Sequence, residues 1–105
     1  MRIVELIRAK YGEPRRISEA KDEPCYCVGG AICLYAGLTV ANARTIFPNR
    51  IRVAEAIQKL NPRVAIQAAL GAAVNITMAN DLGCFESAWH YADGILGEVL
   101  ENQTT

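Results

Sequence analysis

Net charge is absent from this chain: eleven Lys and Arg residues balance eleven Asp and Glu residues over a length of 105. Neutrality excludes binding to nucleic acid or an anionic membrane by bulk charge, so any such contact has to come from a local cluster. Histidine is nearly absent, His90 being the only one, so chemistry that needs an imidazole has one position to use. Internal repeats and low-complexity tracts are absent, which argues against an array and against disorder. The first residues, Met1-Arg2-Ile3-Val4-Glu5-Leu6-Ile7-Arg8, interrupt their apolar side chains with charge and lack the continuous apolar region of a secretory leader. The expectation is therefore a cytoplasmic, reducing compartment, with the four cysteines as thiols or metal ligands rather than disulfides.

Two further absences are local. Cys25 to Ala43 is a run of 19 residues without a charged side chain. It approaches the length of a bilayer span, but Gly29, Gly30, Gly37, Thr39 and Asn42 dilute it, which argues against a membrane segment. A water-exposed chain leaves such a run uncharged only where it is buried or forms a site. From residue 64 onward there is no Lys or Arg, against the five acids Asp81, Glu86, Asp93, Glu98 and Glu101. Residues 44–63 are the converse, with Arg44, Arg50, Arg52, Lys59 and Arg63 against Glu55 alone. This segregation implies either neighbouring segments or complementary faces offered to a second copy.

What is present is helical spacing in a chain of single-domain size. At this length about 65% of the unfolded surface can be buried, enough for one core without staples, and a hydrophobic fraction of 51% supplies it. Ile3, Leu6, Ile7 and Tyr11 share the face of a first helix that Gly12 ends. Residues 13–24, rich in charge and proline, read as an exposed connection, with Arg16-Ile17-Ser18 able to add a short extended piece. Val28 to Ala36 is apolar nearly all round, the mark of a central helix, with Gly37 placed to cap its end. Thr39 can cap a short helix over 40–46. Asn49 can cap the next, which turns Val53, Ala54, Ile57 and Leu60 inward and sets Glu55 and Lys59 at i,i+4. Asn61-Pro62 predicts the start of another helix, reaching toward Met78. Residues 72–77 alternatively fit a short strand, because Val74, Ile76 and Thr77 are β-branched. Phe85 to Glu101 predicts the last helix, lined by Phe85, Ala88, Trp89, Ala92, Leu96 and Val99. The expectation is one all-α domain over 1–105, a bundle of about five helices around a buried central helix at 28–36.

Three constellations could carry chemistry. Cys25 or Cys27 lies at the start of the central helix, where unsatisfied N–H groups and the helix dipole favour a thiolate. A cysteine enzyme also needs a base, and His90 shares a face with Glu86 and Asp93, opposite Phe85, Trp89 and Leu96, on the solvent side. Cys25, Cys27, Cys33, Cys84 and His90 supply zinc-type ligands, but their spacing lacks the paired Cys-x-x-Cys of tetrahedral sites. Buried cysteine otherwise packs as a small hydrophobe. Asn80-Asp81-Leu82-Gly83 can bind a ligand's donors or a cation, or serve as a turn and cap.

The pattern Cys27-x-x-Gly30-Ala31, followed some fifty residues later by Asn80-Asp81 and an amphipathic helix, resembles a family of short bacterial and phage-encoded proteins known by a domain-of-unknown-function label. Its members typically run helix, polar connection, Cys-x-x-Gly-Ala-Leu helix, variable middle, Trp-Asn-Asp and a closing helix. Here Ala79 stands where that tryptophan would be, and Ile32 where the leucine would be. The resemblance implies no activity or cofactor. It implies that Cys27, Gly30, Asn80 and Asp81 form one neighbourhood, with the Asn80-Asp81 turn against the start of the Cys27 helix; Cys25, which is not part of the family pattern, and Gly29 flank these residues and join the candidate site. The leading expectation is a small cytoplasmic, non-catalytic interaction or accessory protein acting on an unknown protein partner or on itself. The alternatives are an enzyme using Cys27 with Asn80, Asp81 or His90, and a nucleic-acid binder using residues 44–63.

Overall fold

The structure, a computed structural model, describes residues 2–12, 14, 27–38 and 50–98. Five helices account for most of them: α1 (Ile3–Tyr11), α2 (Val28–Tyr35), α3 (Arg50–Leu60), α4 (Ile66–Asp81) and α5 (Phe85–Leu96). There is no strand among the described residues, only an isolated antiparallel bridge between Arg2 and Glu98. No helix among them is long and apolar enough to cross a membrane. The fold is all-α, as helical spacing predicts.

α2 is the axle. Val28 through Cys33 are all buried, and the helix touches each of the other four. A helix of eight residues does not hold itself together in water. Its stability comes from neighbours, through side chains such as Ile32, which is wholly buried and worth about 1.5–3 kcal/mol. Ile3, Val4 and Ile7 of α1, Val53, Ala54, Ala56 and Ile57 of α3, and Ala88, Trp89, Ala92 and Leu96 of α5 complete the core. α4 joins them with the small residues Ala69, Ala73 and Ala79 around Ile76, and it packs between α3 and α5.

Two helix ends use the same device. Gly37 donates to Leu34 O and Leu38 to Cys33 O, both at 3.0 Å. At the end of α4, Gly83 donates to Asn80 O (3.0 Å) and Cys84 to Ala79 O (2.9 Å). Each pair is a Schellman closure, and each glycine sits at φ 78°, where a Cβ is disfavoured.

Several expectations are corrected. Residues 72–77 are helical, within α4. Thr77 Oγ1 donates back to Ala73 O (2.9 Å) and Val74 O (3.1 Å), which satisfies a β-branched hydroxyl inside a helix, and packing against α3 and α5 overrides strand propensity. Asn80 and Asp81 are the last residues of α4 rather than a turn. The Asn61-Pro62 start moves to Ile66. Asn61 instead closes α3 through its N–H to Ile57 O (2.8 Å), accepts Val64 N–H at its carbonyl (3.1 Å), and sends Nδ2 to Ile95 O (3.1 Å). α5 stops at Leu96, because Gly97, at φ 68°, bonds back to Asp93 O. Glu55 pairs with Arg52 at 3.1 Å instead of with Lys59, whose Nζ lies beside Gly37 at the end of α2. The expected 40–46 helix, its Thr39 cap, the Asn49 cap, the connection at 15–24 and the positions 99–101 lie outside the described residues.

Replacing Gly71 or Gly94 with Ala should stabilise the protein by about 0.5–1 kcal/mol each, since both are helical and exposed and an added Cβ meets nothing within 4 Å. Gly37→Ala should instead cost about 1–2 kcal/mol through its left-handed φ. Urea unfolding of the three variants measures both signs.

Candidate functional site

The start of α2 poses a satisfiability problem. Its first N–H groups have no intrahelical partner, and here they are buried, so water cannot serve them. Cys27 is the N-cap, with extended backbone, and its Sγ accepts from Gly30 N at 3.2 Å. A thiol sulfur thus stands where a Ser or Thr oxygen usually caps. Val28 N donates to Asn80 Oδ1 at 2.9 Å, across 52 positions of sequence. Asn80 is 1% exposed and is the only buried polar side chain among the described residues.

The structure therefore brings Cys27, Gly29, Gly30 and Asn80 together at one buried helix end, with Asp81 exposed beside it. Cys25 lies outside the described residues. Burial pushes the Cys27 thiol above its ordinary value, the Gly30 N–H opposes that, and the nearby charge of Asp81 adds to it. Burial likewise lifts Cys33 to about 12, with Cys27 adding to the effect. Both sulfurs are held as neutral thiols. At Cys27 desolvation outweighs the helix-end N–H groups that favour a thiolate.

His90 lies elsewhere, on the exposed side of α5, in a cleft of about 320 Å³ between α1 and α5. There Asp93 pairs with Arg2 (2.8 Å) and Glu86 with Arg8 (2.8 Å), while the Arg8 guanidinium stacks 5.5 Å from the centre of Trp89. The stripe expected to be merely solvated is the seam by which α1 is fastened. Arg2 is held firmly charged by its hydrogen bond to Asp93. Cys84 is exposed at the start of α5. No three His, Cys, Asp or Glu side chains among the described residues converge as a metal would need. In the basic segment, Arg44 lies outside the described residues, Arg52 faces Glu55, and Arg50 and Arg63 are exposed.

Sequence reasoning missed one feature. Asn75, Met78, Ala79, Leu82, Cys84, Ser87 and Tyr91 line a groove of about 270 Å³ between α4 and α5. Met78, Leu82 and Tyr91 are 59%, 69% and 45% exposed. The i,i+4 spacing of Met78 and Leu82, off the buried stripe, was the available signal.

Comparison with protein-family models, curated proteins and solved structures finds no match. The site is read from its own geometry.

Asn80→Ala should lower stability by about 1–3 kcal/mol, the cost of stranding the buried Val28 N–H, and should speed exchange of that amide. Cys27→Ser should be milder than Cys27→Ala, which loses the cap. Because Cys33 ionises at about 12 folded and 9.0 ordinarily, its contribution is complete below pH 9.0 and is lost as pH rises toward 12. Alkaline unfolding should show that slope, and Cys33→Ala should flatten it.

Proposed function

We propose that this is a small, non-catalytic interaction protein of the bacterial or phage accessory kind that its Cys27 and Asn80-Asp81 motifs resemble. The α4–α5 groove carries the reading. Three large, exposed apolar side chains, Met78, Leu82 and Tyr91, line one uncharged depression, and apolar side chains gathered at one groove mark a partner site more often than scattered ones do. The helix-end geometry supports it too. Cys27 Sγ caps α2 and Asn80 Oδ1 holds Val28 N, so both groups are committed to structure. A nucleophile requires a thiolate with access to substrate and a base, whereas Cys27 is buried and His90 lies in the α1–α5 cleft.

Native iodoacetamide labelling at about pH 6, resolved by peptide, separates this reading from the enzyme alternative. Cys27 and Cys33 should stay unmodified until the protein unfolds. Rapid carbamidomethylation of native Cys27 would overturn the reading. Binding to random-sequence DNA that persists at about 0.15 M salt would favour the nucleic-acid alternative instead.

A further inference from the structure

The helices are tied to one another in two unlike ways. α2 and α4 share a buried bond, Val28 N to Asn80 Oδ1. α1 packs chiefly on α5 and α2, and its ion pairs lie nearer solvent. Arg2 reaches Asp93 (2.8 Å) and Glu98 (3.5 Å), and Arg8 reaches Glu86 (2.8 Å), each of these side chains being at least 34% exposed. Water replaces such pairs at little cost. Ile3 N adds one backbone bond, to Gly97 O. Gly12 follows α1 directly at φ 75°, with no atom within 4 Å of where a Cβ would stand. The backbone there is free to turn.

α1 also covers an unfinished surface. Val4 and Arg8 line the α1–α5 cleft together with Trp89, and the Arg8 guanidinium lies over its ring. Trp89 is 2% exposed, and its Nε1 is a buried donor without an acceptor. We propose that α1 is a strap that lifts as a unit, turning at Gly12, while α2 to α5 stay folded. The lifted form presents an apolar face around Trp89 that the closed form hides. Water entering from that side supplies the missing acceptor, which offsets part of the cost of opening. The nine-residue helix melts once undocked, because so short a segment has no helical stability of its own. Burial of Ile3, Val4 and Ile7 keeps the closed form dominant. This step is separate from the α4–α5 groove, whose lining comes from α4, α5 and the turn between them.

Native-state hydrogen exchange and urea unfolding of the whole chain test the proposal. The amides of Ile7–Tyr11 should exchange together, at least about tenfold faster than those of Ile32–Tyr35, with a shallower dependence on urea. Trp89 is the only tryptophan, so its fluorescence reports the lifting while far-UV circular dichroism follows the other four helices. The fluorescence transition should fall at lower urea than the dichroism transition. Glu86→Gln changes an exposed position and loosens one tie. It should speed α1 exchange by about two- to fivefold and lower the fluorescence midpoint, leaving the dichroism midpoint in place. Coincident transitions whose midpoints move together in Glu86→Gln would overturn the proposal, since α1 would then leave only with the core. Equal protection in α1 and α2 would do the same. Exchange graded from one end of α1 would also overturn it, by showing fraying rather than release of a unit.

Discussion

A helix whose first turn is buried has to find hydrogen-bond partners inside the protein, and that constraint organises this molecule. The N-terminus of α2 obtains them from a sulfur one residue before it and from an amide at the end of α4. An unmet buried N–H costs about 1–3 kcal/mol, which is a large share of the 5–15 kcal/mol by which domains are stable. The ends of α2 and α4 are therefore tied together, and α3, linked to α4 by the short turn at 61–64, is drawn along. Packing then completes what the helix end requires.

α1 is attached by a different balance. Its buried Ile3, Val4 and Ile7 supply the energy, about 1.5–3 kcal/mol for each fully buried side chain. The Arg2–Asp93 and Arg8–Glu86 pairs are part-exposed, so screening leaves them little net stability. Their contribution is register. Arg2 meets both Asp93 and Glu98, Ile3 N donates to Gly97 O (3.1 Å), and Arg8 covers the Trp89 ring two turns along. Lys10 adds a link to α2, between the rings of Tyr11 and Tyr35. The buried Trp89 Nε1 has no hydrogen-bond partner, a desolvation cost that the ring's burial and the guanidinium above it offset.

Local signals in the sequence were legible where one force dominated. The uncharged run around Val28–Cys33 announced a buried helix because burial leaves no room for charge. Gly12 and Gly37 announced helix ends because their backbone adopts positive φ. Reading failed where two local signals competed. Asn61-Pro62 resembles a helix start, yet Asn61 is used to close α3 and to bind Ile95 O. Val99 and Leu100 continue the apolar period of α5, yet Gly97 ends the helix first. Thr77 and its β-branched neighbours suggested strand until back-bonding and tertiary contacts outweighed propensity. The Arg2–Asp93 pair spans 91 positions, and no local period reports such a contact. The Cys27–Asn80 neighbourhood was suggested by two short motifs, but the partner of Asn80 is a backbone N–H, which carries no side-chain signature.

The order Asn80-Asp81 is itself fixed by this geometry. The inward position must accept a hydrogen bond while 1% exposed, and a neutral amide does so without bringing a charge out of water. A carboxylate there would incur the much larger desolvation penalty of a buried ion, with only a helix dipole and N–H groups to offset it. At 81 the carboxylate stays in solvent, near enough to the positive end of α2 to favour it and to hold the Cys27 proton in place. Exchanging the two residues would put the ion inside and the amide outside. The same composition would then destabilise the helix end it now supports. What reads as a ligand-binding pair of polar residues is an inside acceptor and an outside charge, set one residue apart because that spacing turns successive side chains on a helix about 100° away from each other.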